Sequence, residues 1–120
     1  MARISIIIPA HNAELFIEDT LKELKAIRDA QIIVVCNNCK DRTYEKVEQI
    51  RKMQKNIVNL NFPFYTGKGG AILRGFSHAK GDIIRFVDAD NAYYINDIKK
   101  IISLTKSYDC VIAIKRKGKK

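Results

Sequence analysis

Short runs of β-branched residues alternate along this chain with stretches whose apolar residues recur at helical spacing, and that alternation restricts the fold more than any other feature. Ile4–Ile8, Gln31–Cys36, Ile57–Asn61, Asp82–Val87 and Asp109–Ile114 read as strands. Between them, Ala13–Ile27 carries Leu15, Ile17, Leu21, Leu24 and Ile27 near helical spacing, with Asn12 placed to cap it. A second helix, capped by Asp41 or Thr43, repeats Tyr44, Val47, Ile50 and Met53. Phe62–Gly67 reads as a loop, Gly70–Ala79 as a third helix despite Gly75, and Ile95–Lys106 as a fourth. A strand followed by a helix and another strand builds a mostly parallel sheet with helices on both faces, so the fold class is α/β. At 120 residues, with no internal repeat and no linker, the chain makes one domain over 1–114 and a basic tail over 115–120.

Open parallel sheets bind ligands beyond the carboxyl ends of their strands, where loops from neighbouring strands converge. The loops expected there are Pro9-Ala10-His11-Asn12, Cys36-Asn37-Asn38-Cys39-Lys40-Asp41 and Asp88-Ala89-Asp90-Asn91. Each alone is ordinary loop chemistry; their joint placement points to a nucleotide site. The strand Ile83–Val87 is expected to be mostly buried and to deliver Asp88 and Asp90, two carboxylates one residue apart. Hard oxygen ligands of that kind suit Mg²⁺ or Mn²⁺, which in turn hold diphosphates. Gly67-Lys68-Gly69-Gly70 precedes the third helix, where glycines let a backbone approach phosphate and Lys68 can offset its charge. It is not a Walker loop, because Gly69 rather than Ser or Thr follows Lys68.

Cys36 and Cys39 form a C-x-x-C, with Cys110 as a third thiol. An odd count argues against a disulfide framework, and neither zinc nor thioredoxin spacing is complete, so structural thiols are expected. The formal charge is +9, and Lys115, Arg116, Lys117, Lys119 and Lys120 crowd the end of the chain. Such a tail suits an anionic membrane surface or a phosphorylated substrate. No nucleic-acid motif accompanies it, and nucleic acid is not expected as a partner. No apolar run approaches the roughly 18 residues that span a bilayer. Ile4–Ile8 is too short for a signal-peptide core, so the expected location is cytoplasmic, with peripheral contact at a membrane.

The ordered set Ile4-Ser5-Ile6-Ile7-Ile8-Pro9-Ala10-His11-Asn12-Ala13-Glu14, Ile32–Thr43, Gly67-Lys68-Gly69-Gly70-Ala71, Ala79-Lys80-Gly81-Asp82 and Phe86-Val87-Asp88-Ala89-Asp90 resembles the nucleotide-sugar-binding half of family 2 glycosyltransferases with the Rossmann-like GT-A fold. Within that family it is most similar to polyprenyl- and dolichyl-phosphate sugar transferases. The resemblance implies a nucleotide-diphospho-sugar donor, Mn²⁺ or Mg²⁺, and a polyprenyl phosphate or glycan acceptor. Carried over by position, Pro9 and His11 would line the base. Asn37 falls where the family usually has a base-recognising Asp. Asp88 and Asp90, with Ala89 between them, would meet the metal and the diphosphate. No residue is singled out as a catalytic base, because in the family that group lies in an acceptor half that would follow this chain. The resemblance therefore leaves two expectations, a transferase domain, or a non-catalytic nucleotide-sugar-binding module or fragment that needs a partner chain for the acceptor half; self-association is expected as well. A nucleotidyltransferase would need a glycine- and basic-rich loop after the first strand, which Pro9-Ala10-His11-Asn12 does not provide.

Overall fold

A computed structural model describes residues 4–89 together with 99, 100 and 103. In chain order the elements are β1 (Ile4–Ala10), α1 (Ile17–Leu24), β2 (Ala30–Asn37), α2 (Thr43–Arg51), β3 (Ile57–Phe62), α3 (Gly67–Phe76) and β4 (Ile83–Phe86). The strands form one sheet in the order β3-β2-β1-β4. Every pairing is parallel, with Ile4 opposite both Ala30 and Ile83 and Ile32 opposite Ile57. The chain winds outward from β1 through β2 to β3, then crosses back to lay β4 against the other side of β1. The strand order therefore reverses between β1 and β4. The expected helix Ile95–Lys106, the strand Asp109–Ile114 and the tail lie outside the described residues.

The β-branched runs form the two central strands because both of their faces are covered. Side chains alternate across a strand. Ile6, Ile8, Ile32, Val34 and Cys36 meet Ile17, Leu21 and Leu24 of α1 and Val47 of α2 on one face. Ile7, Ile33 and Val35 meet Ala71 of α3 on the other. Burying each such aliphatic side chain contributes roughly 1.5–3 kcal/mol. Gly75 lies in α3 for the same packing reason. A Cβ there would come within 2.6 Å of Ile7 Cγ2 and 3.1 Å of Val35 Cγ2, so only a residue without one lets α3 settle on the sheet.

Several boundaries differ from the sequence expectation. Helix α1 begins at Ile17, not Ala13, and Leu15 is 81% exposed rather than part of the apolar stripe. Asn12 does not cap α1: it adopts the left-handed conformation at φ 51° and its Oδ1 accepts from Lys40 N at 2.7 Å. Ala13 N instead donates to Thr43 Oγ1 at 2.8 Å, and Glu14 N to Asp41 Oδ2 at 3.1 Å, so the loop after β1 is tied to the start of α2. Burial pushes Asp41 up, but its bonds from Thr43 and Glu14 outweigh this and hold the carboxyl below its ordinary range. Helix α2 ends at Arg51, which leaves Met53 90% exposed beyond it. Helix α3 starts at Gly67, so the glycine run is its first turn rather than a loop before it. Strand β4 is only half-buried, with Phe86 40% exposed, because it is the last strand on its side among the described residues.

A polar clamp joins β3 to α2. Asn59 Nδ2 donates to Glu48 Oε2 at 2.9 Å and to Tyr44 O at 3.2 Å, while Arg51 holds both Glu48 oxygens at 2.9 and 3.0 Å. The Arg51 and Asn59 hydrogen bonds lower the Glu48 pKa to about 2.

Candidate functional site

Strand β1 outruns β4. Their pairing ends at Ile7 and Phe86, but β1 continues beside β2 to Ala10. Ile7 O accepts from Val87 N on the β4 side. Backbone groups two residues on point the same way along a strand, so the N–H that Pro9 lacks would face the side where β4 has ended. The gap left beyond β4 is the mouth of a cleft of about 430 Å³ at the switch point of the sheet. Pro9, Ala10, His11, Asn12, Ala13, Phe16, Asn37, Tyr65, Lys68, Asp88 and Ala89 line it. Thus residues from the end of β1 and from the loops after β1 and β4 meet there with Asn37, the last residue of β2, while Asn38, Cys39, Lys40 and Asp41 of the expected β2 loop are not part of the lining. Of the residues expected from the sequence, Pro9, His11, Asn37, Lys68, Asp88 and Ala89 share one cleft. Asp90 lies outside the described residues.

Part of the cleft lining is aromatic. The rings of His11 and Tyr65 lie 4.8 Å apart between centroids and are tilted by 58°. His11 Nδ1 is 2.7 Å from Asn37 O. A carbonyl only accepts, so Nδ1 carries the proton and Nε2 of the neutral ring is left as an acceptor. Another part is charged. Lys68, at the start of α3, places Nζ 2.5 Å from Asp88 Oδ1. Ala89 is anchored from behind by Thr20, whose buried Oγ1 donates to Ala89 O at 2.9 Å. The Asp88 carboxylate is thus a half-buried hard oxygen donor paired with a cation, and it could supply one of the several oxygen ligands that Mn²⁺ or Mg²⁺ takes. Among the described residues, His, Cys, Asp and Glu form no group of three or more able to hold a metal.

Asn37 is 3% exposed and lines the same cleft. Its Nδ2 donates to Gly67 O at 3.0 Å, and its Oδ1 accepts from Thr66 N at 3.1 Å and Thr66 Oγ1 at 3.3 Å. The thiols of Cys36 and Cys39 are both free. Cys39 Sγ accepts from Asn12 N at 3.4 Å, and its protonated form donates to Ala10 O at 3.4 Å. A hydrogen bond from Cys36 lowers Cys39 to about 6, and the same bond, with burial, pushes Cys36 far up.

Tyr65, Phe16 and Thr20 were not legible as site residues. Tyr65 falls in a loop whose only signal was the glycine turn after it. Phe16 precedes α1, and Thr20 is a polar residue on an otherwise apolar helix face.

Residues 5–119 match the profile of Glycosyl transferase family 2. The chain is 34% identical over 125 residues to the dolichyl-phosphate beta-glucosyltransferase ALG5A of Trichomonas vaginalis, covering 92% of this chain and 39% of that protein. It therefore spans about two fifths of the length of that curated relative. Among solved structures, the mannosyltransferase PcManGT from Pyrobaculum calidifontis in complex with GDP-Man and Mn²⁺ superposes with a TM-score of 0.70 at 23% identity, covering 74% of this chain and 28% of that one. S. aureus TarS 1-349 in complex with UDP superposes with a TM-score of 0.75 at 22% identity, over 89% and 33%. The fold is that of the GT-A glycosyltransferases, and by its sequence the chain belongs to glycosyl transferase family 2.

Proposed function

We propose that the β1/β4 cleft holds a nucleotide-diphospho-sugar together with Mn²⁺ or Mg²⁺, and that the chain supplies the donor side of sugar transfer to a polyprenyl phosphate. One observation carries this reading: a single cleft at the switch point is lined by both an aromatic pair, His11 and Tyr65, and a cation–carboxylate pair, Lys68 and Asp88. Rings suit a base, and Lys68 suits a diphosphate. The solved relatives support it, one with GDP-Man and Mn²⁺ and one with UDP. The dolichyl-phosphate glucosyltransferase supports the acceptor class.

In this reading Asp88 and Asp90 would hold the metal, which would offset the charge of the diphosphate. An oxygen of the acceptor phosphate forms a bond to the anomeric carbon, with inversion, as the bond from that carbon to the diphosphate oxygen breaks. Charge then grows on the leaving diphosphate, where Lys68 is within reach. A phosphate acceptor is already an anionic nucleophile, so the step needs no proton removed from a hydroxyl. Thr20 holds Ala89, and with it the Asp88 turn, against α1.

Calorimetry against UDP-glucose and GDP-mannose, with Mn²⁺ and with EDTA, tests the reading. Binding of one nucleotide sugar that weakens at least tenfold in EDTA is expected. Equal affinity in the two conditions, or no binding of either, would overturn it.

A further inference from the structure

Asn37 differs from its neighbours in the cleft. His11, Tyr65 and Lys68 are exposed, whereas Asn37 is 3% exposed and its amide is already bonded inside the protein. The orientation of that amide follows from its partners. Thr66 N can only donate and Gly67 O can only accept, so Oδ1 faces Thr66 and Nδ2 faces Gly67. An aspartate here would keep the bonds from Thr66 but lose the one to Gly67, leaving two acceptors face to face. The turn that Asn37 grips is constrained from other sides too. Gly67 has φ 74°, and a Cβ on Gly70 would meet Thr66 Oγ1 at 2.6 Å. Lys68 follows directly and reaches Asp88.

We propose that Asn37 is a positioning residue for the charged part of the cleft and does not read the base. It holds the Thr66–Gly67 turn so that Lys68 projects over Asp88. Base discrimination then falls to other groups in the aromatic part, where His11 Nε2 is an available acceptor. The proposal rests on the nucleotide reading of the cleft.

Two variants of the full chain test it from the two sides of one hydrogen bond. Asn37→Asp removes the donor. Gly67→Ala adds no charge and meets nothing within 4 Å, but disfavours the left-handed turn. The probes are Mn²⁺ with pyrophosphate, which has no base, and Mn²⁺ with UDP or GDP, all by calorimetry. Each variant should weaken pyrophosphate and the preferred nucleotide by the same factor, roughly 3- to 10-fold for one lost hydrogen bond, with the UDP to GDP ratio unchanged. Amide hydrogen exchange should quicken at residues 66–69 and stay unchanged in β1 and β2. A loss for the nucleotide with pyrophosphate unaffected would assign Asn37 to the base and overturn the proposal. Unaltered affinities in both variants, or faster exchange throughout the chain, would overturn it too. If the unaltered chain binds none of the probes, the nucleotide reading fails and takes the proposal with it; in the other failures the unaltered chain still binds.

Discussion

The ammonium of Lys68 meets the carboxylate of Asp88 across the mouth of the cleft, joining the first turn of α3 to the loop after β4. Lys68 occupies the oxygen that a divalent cation would need. On the proposed reading, the two cations would compete for Asp88 when no diphosphate is present, and would cooperate once a diphosphate draws Lys68 away. Lys68→Met should raise the affinity for free Mn²⁺ about 2- to 5-fold, since a half-exposed pair of this kind is worth under about 1 kcal/mol. The same change should weaken Mn²⁺–UDP. Titration of free Mn²⁺ by electron paramagnetic resonance checks the first effect, and calorimetry the second. Movement of both in the same direction would refute the competition. Asp88→Asn should remove most of the metal dependence.

Tyr65 packs its ring against His11 in the aromatic part of the cleft. Stacking of a base on an aromatic side chain is worth roughly 1–3 kcal/mol. Tyr65→Ala should accordingly weaken a nucleoside diphosphate by about 5- to 160-fold and leave pyrophosphate within about twofold. Parallel calorimetry with the two ligands measures the difference.

Gly75→Ala should destabilise the fold by about 1–3 kcal/mol, because the new methyl must displace Ile7 or lift α3 from the sheet. Urea unfolding of the variant and the parent gives the value. An unchanged midpoint would mean that α3 can shift without cost.

Glu48 titrates near 2 in the folded chain, below its ordinary value of 4.5. A carboxyl with a depressed pKa stabilises the fold above its unfolded pKa, and the contribution is lost as pH falls through the folded value. Glu48→Gln should lower the melting temperature at pH 7, and the gap from the parent should narrow below pH 4.5 and close near pH 2. Scanning calorimetry across that range follows it.

Cys39, held near 6 by its bond from Cys36, should alkylate with iodoacetamide at a rate that rises through about pH 6 and levels off by pH 8. Cys36, fully buried and pushed up, should not react in the folded chain. Peptide mapping by mass spectrometry distinguishes the two thiols.

Local sequence determined a good deal of this protein. The β-branched runs at Ile4–Ile8 and Gln31–Cys36 carry their own strand periodicity, and burial on both faces follows from their composition. The polar segments after those strands and after Ile83–Val87 marked Pro9, His11, Asn37, Asp88 and Ala89 as residues of one cleft, because a parallel α/β order places strand ends together. Tertiary structure decided what those residues touch. Asn37 meets Thr66 from 29 residues away, Thr20 meets Ala89 from 69, and Lys68 meets Asp88 from 20. Asn12 reads as a helix cap by local preference, yet a left-handed turn carries its side chain to Lys40 across 28 residues. Helix α3 starts at Gly67 although glycines disfavour helices locally, since Asn37 fixes the turn before it and Gly75 lets it close on Ile7 and Val35. Hydrophobic period is a property of neighbours in sequence, and it is legible there. A hydrogen bond between distant loops depends on how the crossovers bring the chain together, and only the folded sheet supplies that.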